Sequence, residues 1–298
     1  MSSTIEQDAP SSPSQTPPSP QAELLALRAE LDRLDDTLHD TLMHRSAVVA
    51  RVAVASAKGS IKLRPGREAA ILRRLIARHA GAMPAQTVVR IWREVLAGST
   101  AMQGPFSVAV CDHAAGQELV ACAREHFGAL APLRVLTTPA QALAEVSAGN
   151  ATIAVLPLPA EQEPEAAAWW TTLLRRDTPI RVIARLPIWA PRPDGAPRAE
   201  ALVVAAVSPD PSGEDRSLIG LEASPELSRA RLGELVAAAG FAAGTILLRR
   251  DPGLDTARAL VEVNGFVTET DPRLAALDLA HPPVVIGAYA VPLMEETR

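Results

Sequence analysis

The sequence predicts a multidomain α plus α/β chain, with an N-terminal helical module followed by small α/β units. Three observations lead there. Apolar residues recur at three- and four-residue steps from Leu24 to Val52, with no Gly or Pro before Gly59. Beyond Gly104 short apolar runs alternate with helical stretches, the pattern of a parallel sheet with crossover helices. Finally, 298 residues is more chain than one average domain needs.

Residues 1–20 end in Pro10-Ser-Ser-Pro-Ser-Gln-Thr-Pro-Pro-Ser-Pro20, which cannot bury enough apolar surface to offset its ordering entropy and reads as a disordered tail. From Gln21 the leucine pattern (Leu24, Leu27, Leu31, Leu34, Leu38, Leu42, then Val49 and Val52) predicts one helix of about 38 residues, ~57 Å long. Such a helix with an apolar stripe needs a partner chain, or the rest of its module, lying along it. After a loop from Gly59 to Arg64, Pro65 suits a helix start and Gly81 a stop, giving a second helix over 66–79. Pro84 opens a third, running to about Met102 and ended by Gly104-Pro105.

Phe106–Val110, Leu133–Leu136 and Thr152–Leu156 read as buried strands, separated by helices near 115–127 and 139–148. Residues 160–200 are Pro-rich and less regular. Strands at Leu202–Val207, Thr245–Arg249, Leu260–Val263 and Val284–Ala290, with a helix near 226–239, suggest a second small α/β unit. The expected domains are therefore 21–103, 104–198 and 199–298, behind the tail.

The net charge of −5 argues against general nucleic-acid binding. Its distribution is more telling: residues 21–103 carry 13 Arg or Lys against 8 Asp or Glu, whereas 104–298 carry 16 against 24. A cationic helical module fits a small anionic ligand. Two cysteines, Cys111 and Cys122, make neither a disulfide framework nor a metal site. Glu6 and Asp8 stand where a signal peptide would be basic, and no apolar run approaches membrane-spanning length, so a cytoplasmic protein is expected.

The order and spacing of Arg28, Arg45, Arg67-Glu68, Ser99 and Gln103, on one long and two shorter helices, resemble the all-helical (type II) chorismate mutases. The resemblance covers less than a third of the chain. It implies a homodimer interlocked along the long helices, chorismate as substrate, and no cofactor or metal. Arg28 would reach across the dimer to one substrate carboxylate and Arg45 would grip the other from its own protomer. Arg67 and Glu68 would form the second-helix pair of the substrate-binding set, Glu68 accepting from the substrate hydroxyl, and Ser99 would lie near a carboxylate. Gln103 would donate to the ether oxygen. These residue types suit a pericyclic rearrangement, which needs a compact substrate conformer and stabilisation of charge on the breaking C–O bond rather than a nucleophile. Guanidinium forks grip carboxylates bidentately.

One residue departs from that pattern. The family carries a lysine 11 residues after the position of Arg45, and here that position is Ser56. Lys58 and Lys62 are the only lysines beside 27 arginines. Lys58 lies about 140° round a regular helix from Arg45, so it serves the site only if the helix ends early and the chain folds back. Otherwise it is a flanking solvent residue and the site lacks its lysine. Arg64 stands where the family often has an acid.

The remainder resembles, diffusely, prephenate dehydratase with its regulatory ACT domain. Thr137–Asn150 leading into Ala154–Leu158 is similar to the first dehydratase lobe, and Leu202–Val207, Gly213–Leu218 and Val285–Ala290 to the borders of an ACT domain. The Thr-Arg-Phe motif of that family falls on Ala199-Glu200-Ala201, and only about 40 residues separate Leu158 from it, too few for the second lobe. The ACT turn and effector segments fall on Pro225-Glu226-Leu227 and Leu247-Leu-Arg-Arg250 without matching. The expectation is a chorismate mutase without dehydratase activity. The alternative is a non-catalytic regulatory or ligand-binding protein of the aromatic pathway with a degenerate mutase site.

Overall fold

The computed structural model describes residues 19–55, 63–112 and 117–294. They divide into two compact units, one ending at Ala55 and the other comprising everything beyond it. The expected position of Lys58, with Ser56 and Lys62, lies outside the described residues.

The first unit is a single helix, α1 (Pro20–Ala55). Ser19 caps it: its hydroxyl accepts from the Ala22 amide at 3.3 Å and its carbonyl from the Glu23 amide at 3.0 Å. Pro20 takes the first helical position, where its missing N–H costs nothing. None of its residues is buried. The seam Leu24, Leu27, Leu31, Leu34, Leu38 lies 48–62% exposed, an apolar face of the kind a helix presents to another chain.

The second unit opens with α2 (Pro65–Ala77) and α3 (Ala85–Ala101) and continues into a mixed sheet. Its strands are β1 (Val108–Cys111), β2 (Leu133–Leu136), β3 (Ile153–Pro157), β4 (Arg181–Leu186), β6 (Ala201–Ala205), β7 (Asp215–Ala223), β8 (Ala243–Arg249), β9 (Ala257–Asn264) and β10 (Val284–Ala290). The short β5 (Trp189–Ala190) and β11 (Leu293–Met294) form a separate two-stranded ladder. The helices are α4 (Glu118–Phe127), α5 (Pro139–Ser147) and α6 (Arg229–Ala238).

In the main sheet the order is β2-β1-β3-β6-β4-β10-β7-β9-β8. β1 pairs in parallel with β2 and β3, as the β-α-β-α-β pattern predicts. β6 then pairs antiparallel with both β3 and β4. Strands from either side of residue 198 thus alternate within one sheet, and the expected border at 198/199 crosses a continuous hydrogen-bonded ladder. Two strands absent from the sequence reading, β4 and β7, complete that continuity. One face of the sheet packs on α5 and the 3₁₀ turn at Trp169–Leu174, around Trp169, Trp170 and Leu173. The opposite face is covered by α4 through Val120, Cys122 and Phe127, and by α6 through Leu232 and Val236.

The junction between the halves is narrow. β10 meets β4 in parallel at Gly287↔Val182, beside a bulge between Val285 and Gly287. A Cβ at Gly287 would lie 2.1 Å from the Val182 carbonyl oxygen. Only a residue without a side chain lets the two backbones come this close. Gly287→Ala is therefore expected to lower unfolding free energy by about 1–3 kcal/mol or more, read as a reduced urea midpoint; an unchanged midpoint would mean that the junction tolerates separation.

Candidate functional site

Helices α2 and α3 share a core with the β5–β11 ladder: Leu72, Val89, Leu96, Trp189 and Leu293 are buried together. Leu72 and Ala69 form the inward face of α2, and Val89, Arg93 and Leu96 that of α3. An arginine in that stripe, only 3% exposed, has to be fully partnered. Its Nε and Nη2 donate to the His126 carbonyl at 2.8 and 2.5 Å, and its Nη1 donates to Glu68 Oε2 at 2.8 Å. One guanidinium thereby joins α2, α3 and the end of α4.

The first turn of α2 is anchored from the β6–β7 loop. Its N-cap residue, Arg64, provides no side-chain cap. The Asp210 carboxylate does so instead, accepting from the Gly66 amide at 2.9 Å and the Arg67 amide at 3.0 Å. A carboxylate there satisfies two orphan donors and favours the positive end of the helix dipole. Arg64 Nε adds a third bond to Asp210 at 3.0 Å. A Cβ at Gly66 would lie 2.0 Å from the Asp210 carbonyl oxygen, so glycine is what admits this loop to the helix. About two turns on, Arg73 donates to the carbonyls of Ser212, Glu214 and Val291 and to the Ser212 hydroxyl.

The residues singled out from the sequence are thus distributed as follows. Glu68 is engaged by Arg93, a partner the sequence reading missed. Arg67 is exposed, and its guanidinium forms no ion pair among the described residues. On α3, the Ser99 hydroxyl donates to the Val95 carbonyl at 2.7 Å, and Gln103 Nε2 donates to the Ser99 carbonyl at 3.0 Å. Gln103 has to release that carbonyl to donate this hydrogen elsewhere. Arg28 and Arg45 lie on α1, in the other unit, Arg28 exposed and Arg45 half-buried.

His126 lies beneath Arg93. Among the described residues its buried ring Nδ1 has no partner, nor has Trp189 Nε1 across a cavity of about 20 Å³. Burial, reinforced by the Arg93 guanidinium, holds the imidazole well below the ordinary histidine range.

In the α/β region, Glu200 accepts from Arg185 Nη2 at 2.8 Å. Arg185 also approaches Glu262 at 3.6 Å, whose carboxylate accepts from the Tyr289 hydroxyl and from Arg216. Burial, and then the hydrogen bond to Glu262, push the Tyr289 phenol above its usual range. Two arginines are thus balanced by two carboxylates. Among the described residues, no helix is long and apolar enough to cross a membrane.

Residues 27–104 match the family model of chorismate mutase type II. That span contains Arg28, Arg45, Arg67, Glu68, Ser99 and Gln103. Bifunctional chorismate mutase/prephenate dehydratases from Stutzerimonas stutzeri and Pseudomonas aeruginosa are each 30% identical, over 142 and 148 residues, in alignments covering 46% of this chain. The chain spans 39% of the length of either relative. A prephenate dehydratase from Arthrobacter aurescens, solved with L-Phe, aligns over 62% of this chain and 90% of its own, at 17% identity and a TM-score of 0.47.

Two measurements test the anchors. Asp210→Ala removes a helix cap, so a loss of about 1–2 kcal/mol in urea unfolding is expected, with faster amide exchange at Gly66 and Arg67; unchanged exchange there would refute the capping role. For His126 the sign is fixed by the lowered native pKa. The unfolded chain takes up a proton near pH 6.5 that the native state refuses, so this contribution is full above about 6.5 and lost as pH falls. Stability should decline between pH 6.5 and 5 by at most about 1.4 kcal/mol per unit, and His126→Phe should flatten that limb. A variant with the wild-type slope would place its cause elsewhere.

Proposed function

We propose that the chain is a chorismate mutase, converting chorismate to prephenate in a homodimer. The observation that carries the reading is the match of residues 27–104 to the type II family over a span holding six candidate residues in order. Arg28 and Arg45 are 17 positions apart on α1, about 26 Å along the axis and ~100° round it on a regular helix. That separation is too great for one helix to grip both carboxylates of one small substrate. A second copy supplying its Arg28 to the Arg45 of the first resolves the difficulty, and the unburied leucine seam of α1 supplies the apolar face for pairing.

In this reading Arg28 of one copy and Arg45 of the other hold the carboxylates and enforce the compact conformer. Ser99 lies near a carboxylate, Arg67 joins the substrate-binding set, Glu68 accepts from the substrate hydroxyl, and Gln103 donates to the ether oxygen as charge develops on it. Lys58, outside the described residues, is the cation proposed for that oxygen. No dehydratase reaction accompanies it, because Glu200 stands where that family's substrate-binding arginine belongs and is itself paired with Arg185.

A second reading is favoured by Ser56, which removes the family lysine from the face of Arg45. A site holding the carboxylate clamps without that donor would bind a dicarboxylate and turn it over poorly, as a regulatory protein does.

Chorismate consumption by purified full-length protein separates the two. The expected outcome is turnover reduced by at least about 10²–10³-fold in Arg45→Ala, with prephenate accumulating and no phenylpyruvate. If a folded dimer shows no turnover and Ser56→Lys restores it, the regulatory reading stands.

A further inference from the structure

The mutase reading gives no role to Arg93, and its surroundings suggest one. All three of its nitrogens are committed, to one Glu68 oxygen and to the His126 carbonyl. Among the described residues only Oε2 of Glu68 is used, which leaves Oε1 to accept from a ligand. The Glu68 side chain is 14% exposed, so the carboxylate is held at the edge of the buried core rather than swallowed by it.

Stability alone does not account for such a pair. A buried ion pair replaced by packed apolar side chains is often as stable, because the desolvation of both charges offsets their attraction. What apolar residues cannot do is fix a carboxylate in one orientation on a helix surface. The backbone beneath Glu68 is fixed as well, since Asp210 holds the amides of Gly66 and Arg67 just before it. Both anchors, the His126 carbonyl and the Asp210 carboxylate, lie beyond residue 104, outside the span that matches the mutase family.

We infer that Arg93 is a positioning residue for Glu68, through which the α/β region sets the geometry of the substrate-hydroxyl acceptor. The α/β region is then a scaffold of the mutase site rather than a passenger behind it. This rests on the mutase reading. It adds that a residue touching no substrate, and a carbonyl at the end of α4, govern how Glu68 meets its ligand.

A double-mutant cycle on kcat/KM for chorismate tests it, with Glu68→Gln and Arg93→Gln made singly and together in full-length protein. Arg93→Gln should lower kcat/KM by about tenfold, within the coupling range of residues sharing one ion-pair network. On the Glu68→Gln background the same change should cost nothing further, because its effect passes through Glu68. Arg93→Lys, which keeps a charge beside Glu68 but not the fork to His126, should recover part of the loss. It also replaces Arg93→Gln in the cycle if that variant fails to fold. Equal fold-losses in both backgrounds, or an unchanged kcat/KM in folded Arg93→Gln, overturn the positioning role and leave the mutase reading intact. Wild-type protein without turnover overturns both.

Discussion

Three nitrogens of Arg93 hold a carboxylate on α2 and a carbonyl at the end of α4, and the placement of the two helices against α4 turns on that junction. A guanidinium can do this because its donors lie in one plane at fixed angles, reaching two acceptors without a rotamer change. A lysine would have one flexible point of attachment. The same preference recurs along α2, where Arg73 spans three carbonyls and Arg64 meets Asp210. A chain with 27 arginines and two lysines has been built around fork geometry. The helices are consequently tied to the sheet by directional bonds around a small aliphatic core, which suits a protein with only 3% aromatic residues.

The first unit poses the opposite problem. α1 is capped and long, yet it buries none of its leucines. An isolated helix draws little stability from propensity and most from packing an apolar face. A seam at three- and four-residue spacing therefore calls for a matching surface. The second copy proposed above would meet that need and would also bring Arg28 and Arg45 to one substrate.

The helices were legible because each has a local signature: a leucine period, Pro65 and Pro84 at starts, glycines at stops. The outer strands were legible as apolar runs. β4 was hidden because Arg181-Val-Ile-Ala-Arg-Leu186 sits between Pro179 and Pro187 in a Pro-rich stretch, and its register is broken by a bulge between Val182 and Ala184. β7 was hidden behind its opening Asp215-Arg-Ser, which reads as a turn. There the Asp215 carboxylate folds back onto the Ser212 amide and hydroxyl. Missing these central strands made one sheet look like two. The anchors of Glu68 left a fainter trace. Asp210 lies 144 residues from Gly66, and nothing local announces a cap supplied from that distance. Arg93 was half-legible, as a charge set between Val89 and Leu96 on the buried stripe of α3.

The division of charge also acquires a different meaning. Composition alone suggests a cationic helical module whose field draws an anion. On α2 and α3 much of that charge is already neutralised or bound: Arg64 by Asp210, Arg93 by Glu68, and Arg73 by carbonyls beside Glu214. The acidic surplus beyond residue 104 supplies two of those partners. Attraction at a distance is therefore weaker than the count implies, since paired charges cancel within a Debye length of about 10 Å. What remains is local. Arg67, one residue before Glu68, projects from a first turn whose amides are already capped, so its guanidinium is the cation that turn still has to offer a ligand. Of the arginines on these helices, Arg73 and Arg93 hold them on the rest of the unit, while Arg67, Arg74 and Arg90 lie exposed.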